Sequence, residues 1–278
     1  MDLSIQALIM GLVQGLTEFL PVSSSGHLVL VPWLFGWKDA FIDSTLFTVT
    51  VHMGTLLALL IYFWRDWAKL IPAGLATIRD RSFKGDADRK MAWLIVVATI
   101  PAILVGPLFD STIESLVRAP AAIALTLCIG AAILWLADRW GSKTREMETL
   151  TFGGALAIGV AQVLALVPGI SRSGVSISAG LFLGLTRQAA ARFSFLMATP
   201  VVAGAGLWEA RKLVTHQAGV NPSAHLALIG FIAAAVSGML AIHFMLQFLK
   251  RQPLTGFIVY RVVAAVIVFI VILSPHGA

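Results

Sequence analysis

Five runs of the chain, residues 44–63, 91–109, 119–137, 224–249 and 255–273, are apolar over the width of a bilayer. A spanning helix needs about 20 such residues, because a rise of about 1.5 Å per residue must cover about 30 Å of hydrocarbon. A sixth run, 193–208, is shorter but is bounded by Arg192 on one side and by Glu209, Arg211 and Lys212 on the other. Composition removes the alternatives: 58% of the residues are hydrophobic and only 12% charged. Soluble domains carry about a quarter charged residues, so a water-facing surface cannot be built from this supply, and the apolar content excludes disorder. The net charge of +6 would suggest nucleic acid in a soluble protein. In a membrane chain it reads as cationic cytoplasmic loops, and no nucleic-acid partner is expected. Cys128 is the single cysteine, which excludes an internal disulfide and a cysteine-based zinc site. The first residues lack the basic start of a signal peptide, so the first apolar segment is expected to stay in the mature protein.

Two further apolar stretches are interrupted. Residues 4–34 are broken at Pro21-Val22-Ser23-Ser24-Ser25-Gly26-His27, and residues 151–185 at Pro168-Gly169-Ile170-Ser171-Arg172-Ser173-Gly174. Each half is too short to span, and irregular backbone at membrane depth needs protein or a water-filled cavity around it. Both stretches read as re-entrant helix–loop–helix hairpins. They also repeat one another at a constant offset of 148: Gly11 with Gly159, Gln14 with Gln162, Ser23 with Ser171, Ser25 with Ser173, Gly26 with Gly174 and Gly36 with Gly184. The expected fold is one all-α polytopic membrane domain over residues 1–278, made of two repeats, about 1–140 and 149–278. Each repeat is a re-entrant hairpin plus three transmembrane helices. Three is odd, so the second copy is inverted, an architecture that places binding sites at the repeat interface near mid-membrane.

Placing loops 64–90, 138–148, 186–192 and 250–252 on the cytoplasmic side puts fourteen of the 20 Lys and Arg residues there. Lys38, Arg118, Arg211 and Lys212 fall on the opposite side, as the positive-inside rule requires. The first hairpin then enters from outside and the second from the cytoplasm, so their tips can meet.

Three charges remain inside apolar segments: Glu18, Arg172 and Arg261. Such groups are costly in a membrane and point to function. Gln14 and Glu18, four residues apart, share one helical face directed at the first break. Around them stand Ser23, Ser24, Ser25 and His27 from one break, and Ser171, Arg172, Ser173 and Ser176 from the other. An arginine, surplus hydroxyls and two half-helix N-termini describe an anion site, most naturally for phosphate. A carboxylate beside it suits a divalent-cation ligand or a general base, and serine or histidine can be a nucleophile once a base activates it. The bland alternative is an ion pair that only locks the hairpins together. Ser178, Gly180 and Gly184 are expected to serve packing. His52 and His243 are expected to be satisfied histidines of the interior, and the Trp and Phe residues to be mostly lipid-facing or interfacial. Arg261 suits either a substrate phosphate or backbone carbonyls.

The run Gln14-Gly15-Leu16-Thr17-Glu18-Phe19-Leu20-Pro21-Val22-Ser23-Ser24-Ser25-Gly26-His27 resembles the first motif of the bacterial undecaprenyl-diphosphate phosphatases, the bacitracin-resistance family. Pro168-Gly169-Ile170-Ser171-Arg172-Ser173-Gly174-Val175-Ser176 resembles the second. His52-Met53-Gly54-Thr55 and Tyr260-Arg261 match as well, so the resemblance covers essentially the whole chain. Ser25 and Ser176 stand where many members carry Thr, which keeps the hydroxyl, and Glu148 stands near an acid that often precedes the second hairpin.

The resemblance implies hydrolysis of a C55 polyprenyl diphosphate to its monophosphate and inorganic phosphate. That reaction recycles the lipid carrier for peptidoglycan and confers bacitracin resistance. It implies a divalent cation, Mg²⁺ or Ca²⁺, held by Glu18 and Gln14, in the bacterial cytoplasmic membrane with the site reached from the outer face. Membrane lipids are the other partners, and a homodimer is compatible with the sequence. On this basis Glu18, Ser24, His27 and Arg172 are the expected catalytic residues, with Ser24 the favoured nucleophile and His27 its base or a proton donor. His27 as nucleophile, or direct attack by water, stays open. Gln14, Ser23, Ser25, Ser171, Ser173 and Ser176 are the expected substrate-binding residues. The rival class is a transporter or flippase for a phosphate-bearing substrate, because inverted repeats with re-entrant hairpins suit translocation equally well.

Overall fold

The computed structural model describes residues 1–82, 86–108, 119–215 and 223–274. The expected end of the second span at Phe109 and the cation Arg118 lie outside these, as does the side chain of Lys212. Among the described residues the regular structure is helical, apart from one isolated bridge between Arg145 and Leu185. The helices are α1 (Leu3–Phe19), α2 (Ser24–Phe35), α3 (Thr45–Tyr62), α4 (Trp64–Asp80), α5 (Ala87–Val105), α6 (Pro120–Trp140), α7 (Phe152–Val163), α8 (Arg172–Phe182), α9 (Arg187–Thr215), α10 (Ala224–Phe248) and α11 (Thr255–Leu273). Six are long and apolar enough to cross a membrane: α3, α5 with the 3₁₀ turn that follows it, α6, α9, α10 and α11. The chain is therefore a multi-pass membrane protein.

The two interrupted stretches form helix pairs, α1–α2 and α7–α8, whose arms run to 17, 12, 12 and 11 residues. At about 1.5 Å per residue none reaches across a hydrocarbon layer of about 30 Å. The breaks share one local conformation. Ser23 and Ser171 both sit at φ 78°, a left-handed setting uncommon for a residue with a Cβ. Each caps the following helix by accepting from the N–H three residues on, Gly26 at 3.3 Å and Gly174 at 3.1 Å. The φ of +94° at Gly169, in the second break, suits its lack of a Cβ.

The first arm of each pair packs backbone-close on a span. Gly11 faces the Gly230 carbonyl on α10, and Gly15 faces Ala234 and Ser237 of the same helix; on the other side Gly159 faces Ala98 of α5. Small residues permit this approach where no hydrophobic force separates helix from lipid. Leu104, Leu240 and Ile270 lie on the exposed perimeter, as lipid contact requires, whereas Phe19, Phe47, Phe63, Phe193 and Phe195 are buried in the packed centre rather than lipid-facing.

Three expectations need correcting. Residues 64–80, expected as loop, form α4. Its Leu70, Ala73 and Thr77 pack inward, Trp64, Ile71, Leu75 and Ile78 make an exposed apolar stripe, and Arg65 and Lys69 lie on the remaining face. Its charges had hidden a 3.6-residue period. The fourth span begins at Arg187, six residues before the expected start, because two of its cations are neutralised by neighbours. Arg187 Nε donates to Asp138 Oδ1 and Arg192 Nη2 to Asp66 Oδ1, each at 2.5 Å. Gly184 serves a turn, with φ +85° and a carbonyl that accepts from the N–H groups of Thr144 and Arg145. Ser178 and Gly180 do pack as expected: Ser178 Oγ bonds the Gly174 carbonyl inside α8, and Gly180 lies against Ala190.

Candidate active site

The two breaks meet. Gly169 N–H donates to Ser23 Oγ at 3.0 Å, and Ser173 Oγ donates to the Leu20 carbonyl at 3.2 Å. Behind them lies Arg261, fully buried, and its guanidinium ties both breaks together. Nη1 donates to the Pro21 carbonyl at 3.1 Å, Nη2 to those of Gly169 at 2.7 Å and Ile170 at 3.1 Å, and Nε to Leu127 of α6 at 3.1 Å. Pro21 and Gly169 are themselves 148 residues apart, so one side chain clamps equivalent carbonyls. Of the two roles open to Arg261, the structure takes the carbonyl one.

In front of the junction is a cavity of about 680 Å³ whose wall includes Glu18, Ser24, Ser25, Ser171, Arg172 and His52. Glu18 is its centre and is 6% exposed. Its Oε1 accepts from Arg172 Nη2 at 2.7 Å, and its Oε2 from Ser24 Oγ at 2.5 Å and Gln14 Nε2 at 3.0 Å. His52 Nε2 stands 3.9 Å from Oε2. A carboxylate with a serine hydroxyl already donating to it can accept that proton during attack. Arg172 at the first turn of α8 supplies fixed positive charge, with the helix N-terminus behind it.

The remaining expected residues divide. Ser25 and Ser171 line the cavity. Ser23 is a cap and a bridge between breaks, and Ser173 is engaged with Leu20 and with Ser171 Oγ. Ser176 bonds the Arg172 carbonyl at 2.7 Å and Ser194 Oγ at 2.6 Å, away from the cavity wall. The structure does not bring His27 to Ser24. Its Nδ1 lies 2.7 Å from the Ser23 carbonyl, which can only accept, so Nδ1 carries a hydrogen; its Nε2 lies 2.7 Å from the Tyr260 hydroxyl. Glu148 is on a distant 3₁₀ turn, with its carbonyl accepting from Lys90.

Neither histidine expected to be satisfied in the interior is buried there, although the Thr48 carbonyl does satisfy His52 Nδ1. His52 faces Glu18 across the cavity, and His243 is exposed on α10 beside the Tyr62 hydroxyl. The four-residue hydrogen bond from His52 Nδ1 to the Thr48 carbonyl orients the ring, and no sequence pattern announces that. Gln162, the repeat partner of Gln14, also lines the cavity.

A carboxylate, a serine and an arginine thus meet at one cavity of a multi-pass membrane protein, held there by the breaks of two helix pairs. The family model for the bacitracin resistance protein BacA matches residues 7–267, and the chain belongs to that family. Relatives named undecaprenyl-diphosphatase include that of Desulforudis audaxviator, 42% identical over 268 residues, covering 96% of this chain and 97% of its own. That of Moorella thermoacetica is 43% identical over 265 residues, covering 95% and 96%. That of Geotalea daltonii is 45% identical over 264 residues, covering 94% and 95%.

Proposed function

We propose that this protein hydrolyses undecaprenyl diphosphate to undecaprenyl phosphate and inorganic phosphate, with Ser24 as nucleophile, Glu18 as its base and Arg172 as the clamp on the transferred group. The observation that carries this reading is the Ser24–Glu18–Arg172 chain, at 2.5 and 2.7 Å, on the wall of a cavity inside a membrane protein of this family. Ser24 Oγ attacks the terminal phosphorus while its proton passes to Glu18. The bond to the bridging oxygen breaks, and the prenyl monophosphate leaves with that proton. Glu18 then takes a proton from water, whose oxygen attacks the phosphoserine, and returns it to Ser24 Oγ as inorganic phosphate departs. Arg172 stabilises charge on the phosphoryl oxygens throughout. Ser24 is preferred over His27 as nucleophile because both His27 ring nitrogens are engaged elsewhere.

A divalent cation fits this site as a companion of the substrate. Among the described residues no group of three or more His, Cys, Asp or Glu comes together, but Gln14 Oε1 is buried without a partner in the amide that contacts Glu18. Glu18 and Gln14 would hold the ion, with phosphate and water completing its oxygen shell. When bound it offsets the negative charge of the diphosphate.

The fold belongs with this reading as two inverted repeats. Matching Ser23 and Ser171 conformations support it, as does the packing of α1 on α10 and of α7 on α5. The cavity wall includes Asp43 and Thr45 at the start of α3 and Glu209 near the end of α9, ends that the Lys and Arg distribution assigns to the outer face of the cytoplasmic membrane. Outer-face access and a place in lipid-carrier recycling follow. The test is phosphate release from a polyprenyl diphosphate by purified protein in detergent, with and without chelator. Release that disappears in Ser24→Ala is expected. No release from the wild type would favour a protein that only translocates its lipid.

A further inference from the structure

The two hairpins carry the same glutamine but use it differently. Gln14 Nε2 donates to Glu18, four residues further along α1. In the second hairpin the position four residues beyond Gln162 is Leu166, so the repeat keeps the amide and lacks the acid. Gln162 is 3% exposed, and both its Nε2 and its Oε1 are buried without a hydrogen-bond partner. It lines the same cavity as Glu18, Ser24 and Arg172, and Leu166 lies beside it in that wall. Arg172 Nη1 is buried and unpartnered as well. Buried polar side chains are nearly always satisfied, and each exception calls for a reason. Packing alone does not give one, since leucine would fill much of the volume with nothing to desolvate.

We infer that Gln162 is a substrate-binding residue: together with Arg172 Nη1, its side-chain amide donates to phosphoryl oxygens of the diphosphate headgroup. A neutral donor suits the second hairpin. It adds a hydrogen bond to the anion without the repulsion that a second carboxylate, the counterpart of Glu18, would bring. The divergence between repeats then has a chemical sense: one hairpin carries the base and nucleophile, the other carries only donors. This inference rests on reading the cavity as a diphosphate site.

The test compares the full-length wild type with Gln162→Leu and Gln162→Glu in detergent. Three quantities are measured: kcat and KM for phosphate release from farnesyl diphosphate, the thermal midpoint, and the rise in that midpoint caused by inorganic pyrophosphate. Gln162→Leu is expected to lose roughly 10- to 100-fold in kcat/KM, the effect of one hydrogen bond to a charged group. Its midpoint should be unchanged or higher, and its response to pyrophosphate reduced. Gln162→Glu should lose more than Gln162→Leu. A Leu variant within twofold of wild type in kcat/KM overturns the inference, and so does a loss that accompanies a lowered midpoint. If the wild type releases no phosphate, the hydrolase reading fails and pyrophosphate alone judges Gln162. A response present in wild type and lost in Gln162→Leu supports it; a response absent from wild type, or equal in both, overturns it.

Discussion

Arg172 Nη2 donates to Glu18 Oε1 at 2.7 Å, joining the two hairpins through side chains only 15% and 6% exposed. Such a pair has two possible uses, a lock between hairpins or part of the chemistry, and a charge exchange separates them. Arg172→Ala and Glu18→Gln should each reduce kcat by at least about 10²- to 10³-fold, the scale of losing one transition-state donor. Because the residues act as a unit, the double variant should be little worse than either single one. The exchanged protein, Glu18→Arg with Arg172→Glu, restores opposite charges across the junction. It should recover the thermal midpoint lost in the single variants and remain inactive, since Ser24 then has no base. Restored phosphate release would leave the pair as a lock only.

Arg261 is the structural counterpart of that pair. Its guanidinium reaches carbonyls of both breaks and of α6, and the Cβ that a side chain at Gly130 would add meets its head. Lysine has one nitrogen in place of a planar fork and cannot reach Pro21 and Gly169 at once. Arg261→Lys is expected to fold with a midpoint lower by several degrees, consistent with the loss of about 1–3 kcal/mol per orphaned buried group. Arg261→Ala should fail to yield a monodisperse protein. Size-exclusion profiles and thermal melts in detergent check both.

Much of this arrangement was legible because a membrane penalises exceptions. Spans α3, α5, α6, α10 and α11 follow from apolar length alone, and Glu18 and Arg172 stand out because almost every other charge lies outside the apolar runs. What escaped has physical reasons. The period of α4 is masked by Arg65, Lys69 and Arg79, and a helix that is amphipathic rather than apolar does not register as a span. His52 reads as an ordinary interior residue because its role depends on α3 lying against the first hairpin, a tertiary fact. His27 stands three residues from Ser24 in sequence, yet the turn of α2 carries its ring to Tyr260, 233 residues away. Gln162 matched Gln14 in type, and only the tertiary structure shows that Gln14 Nε2 reaches Glu18 while neither polar atom of the Gln162 amide has a partner.

The approach of α1 to α10 makes a prediction about a residue far from any chemistry. A Cβ at Gly15 would stand 2.5 Å from the Ala234 carbonyl oxygen and 2.7 Å from the Gly238 nitrogen. Neither is the tip of a flexible side chain, so the helices must separate. Gly15→Ala is expected to cost about 1–3 kcal/mol, the usual range for overpacking. Because Gln14 and Glu18 ride on the same helix, kcat should fall with it. Gly153, whose added Cβ meets nothing within 4 Å, is the control, and Gly153→Ala should leave both midpoint and kcat unchanged.

The His27–Tyr260 contact decides whether His27 takes part in proton transfer. The rings stack with centroids 5.6 Å apart, and the Tyr260 hydroxyl occupies His27 Nε2 in the neutral ring while Nδ1 is held by the Ser23 carbonyl. Tyr260→Phe keeps the stack and removes only the hydroxyl. If His27 were the acid for the leaving phosphate, freeing Nε2 would alter its basicity and move a limb of the pH–kcat profile. With Glu18 serving Ser24 directly, the variant should keep the wild-type profile and a kcat within roughly tenfold, the effect of one neutral hydrogen bond of about 0.5–1.5 kcal/mol at most. His27→Gln should do more harm, because losing the Nδ1 bond loosens Ser23, the cap that holds both breaks, and its midpoint should fall together with its activity. The same pH profile with reduced amplitude is the expected signature in that variant. A profile that loses one limb in His27→Gln, with the midpoint intact, would return His27 to the catalytic steps.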